Sequence, residues 1–249
     1  MKEQFHFKQF TIRHDRCAMK VGTDGVLLGA WGTVAPPHIL DIGTGTGLIA
    51  LMAAQRCPEA QVLGIDIDGD AVEQARENVA ASPFADRVGI RQQSLQELAK
   101  EADNTRFSAI LCNPPFFEES LLPPDVRRSQ ARHTPTLPFP VLIHAVGQLL
   151  QTNGTFSVIL PTNAFDDFRR SCFTARLLCT RLCHVQTTPT KTPKRILATF
   201  RLTPADSTVY TSETSALPSK CDGPTTLILN HGTARTPEYA ALTHDFYLW

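Results

Sequence analysis

Asn113-Pro114-Pro115-Phe116 is the segment of this chain best equipped for chemistry. Two successive prolines stiffen the backbone and remove local amide donors, so nearby carbonyls keep their lone pairs for a ligand. The Asn113 side-chain carbonyl and the Pro114 backbone carbonyl can then converge on one planar NH₂ group. The lone pair of such a nitrogen is delocalised into its ring or carbonyl. Two acceptors holding both hydrogens favour rehybridisation toward sp³ and stabilise the positive charge that develops as the nitrogen attacks an electrophile. Phe116 offers a face on which a flat base stacks, and Phe117 a second wall. A Pro-Pro turn whose aromatics merely fill the core is the plainer alternative, and the surroundings decide between the two.

A second motif supplies the electrophile's binding site. Asp41-Ile42-Gly43-Thr44-Gly45-Thr46-Gly47 follows an apolar strand and precedes a helical pattern. Glycines there turn the chain tightly and bring backbone N–H groups close to a ligand. The spacing is Gly-x-Gly-x-Gly, and Leu48 stands where a pyrophosphate-binding loop has its last glycine. That favours a ligand without phosphate. S-adenosylmethionine carries an ammonium and a positive sulfonium, both attracted by an acid such as Asp41. Asp66 closes the next strand, about 20 residues on, where an acid accepts hydrogen bonds from both ribose hydroxyls; Ile67 follows it.

These motifs need a frame, and the hydrophobic pattern provides one. Apolar runs at 39–42, 61–66, 88–92, 107–112 and 155–160 read as strands. Helical spacing appears over 48–56, 71–79 and 141–150. Strands alternating with helices predict an α/β fold, a mostly parallel sheet with helices on both faces. Further on, a helix is expected over 165–178, strands over 182–187, 195–202 and 226–230, and a short helix over 238–246. Residues 203–226 are rich in Ser, Thr and Pro and read as an excursion, with Tyr210 as a possible anchor. The expected division is an N-terminal cap over 1–36, contributing cofactor and substrate contacts, and a catalytic domain over 37–249.

Composition narrows the classes. At 42% hydrophobic and 19% charged, the 249 residues can bury a large core and are not a disordered chain. A formal net charge of +0 gives no support to a sequence-independent DNA binder. Seven cysteines, an odd number with no Cys-x-x-Cys pair, suit a reducing compartment. Cys179, Cys183 and His184 lie close together, but strand periodicity placing both cysteines on one buried face explains them better than a metal. No metal is expected. No apolar run reaches the ~18 residues of a membrane span and no signal peptide opens the chain, so a cytoplasmic location is expected.

The combination of DIGTGTG, GID and NPPF resembles class I amino-methyltransferases, and the resemblance implies the Rossmann-like class I methyltransferase fold with a mostly parallel seven-stranded sheet. The run FHFKQFTIRHDRCAMKVGTDGVLLGAW (5–31) is similar to the signature of the bacterial tRNA(Val) adenine-N6 methyltransferase family. Gln130-Ala131-Arg132-His133 and the ending Tyr239…Ala241-Leu242-Thr243…Phe246-Tyr247-Leu248 extend the resemblance over nearly the whole chain. The resemblance implies methylation of N6 of the adenine beside the anticodon. It implies that Lys20, Thr23 and Asp24 lie near the amino acid end of the cofactor. It also implies that Asp41, Gly43, Gly45 and Gly47 form the cofactor loop and that Asp66 and Ile67 border the ribose. Such enzymes place an Asp after the third strand to accept from the cofactor's adenine; here Ser94 or Gln93 stands there.

The expected partner is a tRNA, met at its anticodon arm by a monomer. Arg132 and His133, with Arg127 and Arg128, form a basic stretch past the catalytic loop, and Lys191, Lys194 and Arg195 another; a solvated face explains either equally well. Arg13, His14 and Arg16 are expected to pair locally with Asp15 or Asp24. Other activities use the same motif. A protein glutamine carries a similar planar NH₂, ribosomal RNA offers amino groups too, and a non-catalytic RNA-binding module on the same fold would need none of them.

Overall fold

A computed structural model of the chain describes residues 4–17, 20–101, 106–114, 137–204 and 226–248. A hairpin opens it, β1 (Gln4–His6) and β2 (Thr11–Arg13), followed by α1 (Thr23–Trp31). Strands and helices then alternate: β3 (His38–Ile42), α2 (Leu48–Arg56), β4 (Gln61–Asp66), α3 (Gly69–Ala80), β5 (Val88–Gln92), α4 (Leu95–Glu101) and β6 (Phe107–Cys112). Beyond the Asn-Pro-Pro-Phe segment come α5 (Phe139–Leu149), β7 (Leu150–Pro161), α6 (Phe165–Thr174), β8 (Leu177–Gln186) and β9 (Arg195–Leu202). The C-terminal part holds β10 (Thr226–Ile228), the two-residue strands β11 (Asn230–His231) and β12 (Ala234–Arg235), and α7 (Pro237–Thr243).

The main sheet runs β10-β8-β9-β7-β6-β3-β4-β5. The expected seven strands are all there, and β10 adds a short eighth at the edge beside β8. Only the pairings of β9 with β7 and β8 are antiparallel. Every residue of β6 is buried, as a central parallel strand covered on both faces requires. Side chains alternate between two apolar layers. Ile39 and Leu111 face α1, α2 and α3, whereas Leu40, Ile110 and Phe156 face α4, α5 and α6.

Two expectations are corrected. The helix predicted over 165–178 stops at Thr174, because Arg176 adopts a left-handed φ of 62° and turns the chain into β8. Cys179 and Cys183 do not share a face. Cys179 and Arg181 of β8 oppose the adjacent residues Phe200 and Thr199 of β9, so β8 carries one extra residue. That bulge reverses the alternation, sending Cys183 into one core layer and Cys179 toward the other. The Ser/Thr/Pro-rich segment lies almost entirely outside the described residues, as do Tyr210 and Cys221.

Both ends of the chain meet in an aromatic cluster. Phe7 stacks on Phe10 and Tyr247, with ring centroids 4.8 and 5.8 Å apart, and Phe5 meets the edge of Tyr247 at 5.8 Å. The Lys8 amide donates to the Phe246 carbonyl at 2.7 Å. The hairpin is thereby held by the C-terminal residues that follow α7. Arg181 fastens α1 to the far side of the sheet, stacking on Trp31 at 4.1 Å and donating to its carbonyl at 3.2 Å.

The turn from β3 into α2 is built around a buried acid. Asp41 is 0% exposed; its Oδ2 accepts from the Thr44 hydroxyl at 2.6 Å and from the Ala50 amide at 3.1 Å, while Oδ1 has no partner. Burial pushes its pKa up to about 7, against the pull of those two hydrogen bonds.

Two consequences can be measured. Replacing Phe7 by Ala removes the centre of the aromatic cluster and lowers unfolding free energy by about 3 kcal/mol in urea denaturation. For Asp41, the folded-state pKa lies above the unfolded value, so its contribution is whole below pH 4 and is lost as pH rises through 7. Wild-type stability therefore falls relative to Asp41→Asn between pH 4 and pH 7, by on the order of 4 kcal/mol. Parallel stability curves for the two proteins would contradict this.

Candidate active site

The ends of the parallel strands bring the motifs together. Register pairs Ile42 with Ile65 and with Cys112, and Asp66 with Gln92. The glycine loop, Asp66–Ile67, Gln93–Ser94 and Asn113–Pro114 therefore all emerge at one edge of the sheet. Ligands of open α/β sheets bind at this carboxyl edge.

The glycine loop is shaped for close approach. Gly43, Gly45 and Gly47 have φ of 68°, 53° and 80°, a region costly for any residue with a Cβ. The Gly43 and Thr44 amides both donate to the Ile65 carbonyl at 2.9 Å, which folds the loop onto β4. A Cβ at Gly43 or Gly45 would meet no atom within 4 Å, so both face open space. Gly47 differs: its Cβ direction meets Ala75 of α3 at 3.4 Å, so it serves helix packing. Asp41 supports the loop from beneath, and its one unpartnered oxygen is the acceptor left over.

Asp66 stands at the loop's rim. Its Oδ2 accepts from the Gly45 amide at 2.9 Å and its Oδ1 from the Asp68 amide at 3.1 Å. Each carboxylate oxygen has a second lone-pair site, the capacity a pair of ribose hydroxyls requires. Ile67 next to it is 48% exposed, one of two large apolar side chains so exposed among the described residues. An acid beside an open apolar surface and a Cβ-free cradle fits the adenosine of S-adenosylmethionine.

The two residues after β5 are not equivalent. Ser94 is occupied in a capping box at the start of α4: its hydroxyl donates to Glu97 at 2.7 Å and accepts from the Glu97 amide at 3.2 Å. Gln93 lies beside Asp66, its amide donating to the Asp66 carbonyl at 2.9 Å. Its side-chain nitrogen is fixed on Glu101 at 2.6 Å, and its Oε1 is buried with no partner.

Asn113 directly follows Cys112 and is half-buried, with Pro114 buried behind it. Pro115, Phe116, Phe117, Arg132 and His133 lie outside the described residues, together with Arg127 and Arg128. Thr23 opens α1. Asp24 beside it is bound to Arg195, Nε to Oδ2 at 2.8 Å, which brings the start of α1 to the start of β9 at the ligand edge. The local pairing expected for Arg16 is corrected: it meets Glu77 at 3.1 Å and Glu73 at 3.8 Å, both on α3.

Sequence reasoning missed Gln74 and Asn78, polar residues of α3 that are 0% and 2% exposed. Asn78 donates to the carbonyls of Arg13 and of Thr46 in the glycine loop, both at 2.9 Å. Both stand on the helix face marked by Ala71, Ala75 and Val79, but that spacing does not name the partners they hold.

Known proteins agree with this geometry. The methyltransferase small domain family matches residues 23–137. A tRNA1(Val) (adenine(37)-N6)-methyltransferase of Porphyromonas gingivalis is 47% identical over 98% of this chain and 94% of its own length. One of the same name from Phocaeicola vulgatus is 45% identical over 98% and 97%. Among solved structures, a predicted O-methyltransferase from Agrobacterium tumefaciens superposes with a TM-score of 0.64 at 18% identity, covering 90% of this chain and 96% of that one, and shows the class I methyltransferase fold. Near-full-length identity of this order, with the glycine loop, Asp66 and Asn113–Pro114 at one sheet edge, makes the chain a member of the tRNA1(Val) (adenine(37)-N6)-methyltransferase family.

Proposed function

We propose that the protein is an enzyme that transfers a methyl group from S-adenosylmethionine to N6 of adenine 37 in tRNA1(Val), acting as a monomer on the anticodon arm in the cytoplasm. The observation that carries this reading is the meeting of Asn113–Pro114 with the glycine loop at the ends of β6 and β3. Among the described residues no helix is long and apolar enough to cross a membrane.

S-adenosylmethionine, when bound, supplies an electrophilic methyl on a sulfonium. The chain's own residues do the rest. Gly43 and Gly45 admit the cofactor to the backbone, Asp66 accepts the ribose hydroxyls, and Ile67 lies against the flat base. Lys20 and Thr23 belong to the amino acid end. Asn113 Oδ1 and the Pro114 carbonyl accept the two amino hydrogens of the target adenine, with Phe116 stacking on its ring. Holding both hydrogens frees the nitrogen lone pair from the ring, and the same oxygens stabilise the charge that follows. The alkylated nitrogen is then strongly acidic, so no strong general base is required. An adenine in an anticodon loop is largely unpaired, and its extrusion costs less than from a duplex. Arg132 and His133 are assigned to the RNA.

Gln93 rather than Ser94 is the acceptor for the adenine of the cofactor. Its buried Oε1 lacks a donor, a condition that costs about 1–3 kcal/mol until a ligand satisfies it. Ser94 is already committed to α4.

Two experiments test these assignments. Asn113→Ala lowers kcat on tRNA by roughly 10²–10³-fold while calorimetry shows cofactor affinity within about threefold of wild type. Methylation of bulk protein or ribosomal RNA instead of tRNA, traced with a labelled methyl group, would overturn the substrate assignment. Gln93→Leu weakens cofactor binding about tenfold, whereas Ser94→Ala changes mainly the stability of α4, by about 1 kcal/mol.

A further inference from the structure

Asn78 makes three hydrogen bonds with one buried side chain. Oδ1 accepts from the Arg13 amide at 2.9 Å, and Nδ2 donates to the Arg13 carbonyl and to the Thr46 carbonyl, each at 2.9 Å. Toward Arg13 it imitates a neighbouring strand, satisfying both backbone groups of one residue. Toward Thr46 it holds the outer peptide of the glycine loop. Residues 11–17 form a strap lying along α3. The Arg16 amide donates to Gln74 Oε1 at 3.1 Å, and the Arg16 guanidinium meets Glu77 at 3.1 Å. Farther along, Cys17 lies near enough to Asp68 and Asp66 that their charges add to burial in raising its thiol pKa to about 11. The strap thus runs past the loop toward the acid at its rim, and Lys20 and α1 follow.

From this we infer that Asn78 is a positioning residue: it couples the docking of the strap to the shape of the cofactor loop, so that filling the loop closes the strap and a docked strap tightens cofactor binding. The inference rests on the cofactor assignment made above. Physically, Asn78 offers one donor to each partner. A Thr46 carbonyl displaced from Nδ2 leaves a buried donor unsatisfied, and moving the side chain to follow it breaks both bonds to Arg13. The two segments therefore share one low-energy arrangement. By linkage, whatever stabilises one stabilises the other by the same factor. Gln74 provides the contrast, since it holds the strap at Arg16 and has no bond to the loop.

Hydrogen exchange on the intact protein tests the coupling, with S-adenosylhomocysteine as the ligand and its binding followed in parallel by calorimetry. In wild type the ligand slows exchange of the 11–17 amides about tenfold, together with those of the glycine loop. In Asn78→Ala the strap exchanges faster, the ligand no longer protects it, and both Kd for S-adenosylhomocysteine and KM for S-adenosylmethionine rise about tenfold with kcat little changed. In Gln74→Ala the strap loosens near Arg16 while ligand protection of Arg13 persists. Ligand that binds and protects the loop but leaves the wild-type strap unchanged overturns the coupling alone, whether or not the variant folds. Equal ligand protection of the strap in Asn78→Ala also overturns it. Absence of any ligand binding in wild type removes the cofactor assignment, and the coupling with it.

Discussion

A single buried carboxylate sets the geometry from which the site is built. Asp41 is sealed beneath the glycine turn, where it accepts from the Thr44 hydroxyl and the Ala50 amide. Those two bonds fix the point at which β3 ends and α2 begins. They hold Thr44 over Gly64 of β4, where a Cβ would lie only 2.7 Å from the Thr44 hydroxyl. The loop can therefore descend onto β4, and its Gly45 amide reaches Asp66. An ionised group so deeply buried opposes folding, and the two bonds to Oδ2, from Thr44 of the loop and Ala50 of α2, offset part of that cost.

The remaining parts follow from strand direction. Because β3, β4, β5 and β6 are parallel and in register, residues distant in sequence leave the sheet on the same side. In the function proposed above, each strand contributes one part: the cradle from β3, the ribose acid from β4, Gln93 from β5, the amine grip from β6. Within the main sheet the one strand running antiparallel to its neighbours, β9, starts at that same edge, and its first residue, Arg195, reaches Asp24 at the head of α1. The N-terminal region is in this way tied to the rim from two directions, by Asp24 and by Asn78.

Much of this frame is legible in the residues. The runs 61–66, 88–92, 107–112 and 195–202 coincide with their strands because short apolar stretches bounded by turn residues leave little choice of register. The carboxyl-edge placement of Asp66 and Asn113 follows from those runs. What stays hidden depends on distant partners. Leu177 and Leu178 continue the helical spacing of α6, and only the left-handed turn at Arg176 separates them from it. The exchange of faces by Cys179 and Cys183 stems from a bulge defined by a neighbouring strand. Gln74 and Asn78 lie on the helix face marked by Ala71 and Ala75, but what they bind is fixed only by residues 11–17 and Thr46, distant in sequence. The different commitments of Ser94 and Gln93 depend on Glu97 and Glu101, which claim one hydroxyl and one amide nitrogen.

The aromatic cluster where Phe5 and Phe7 meet Tyr247 has a consequence for biosynthesis. During synthesis Phe5 and Phe7 are made long before Tyr247, and the face they turn to it stays uncovered until that residue is in place. A chain without Tyr247 would leave Phe5 and Phe7 bare, the kind of apolar surface that chaperones and proteases recognise, so their contact with residue 247 reports that the chain between them has been made and folded.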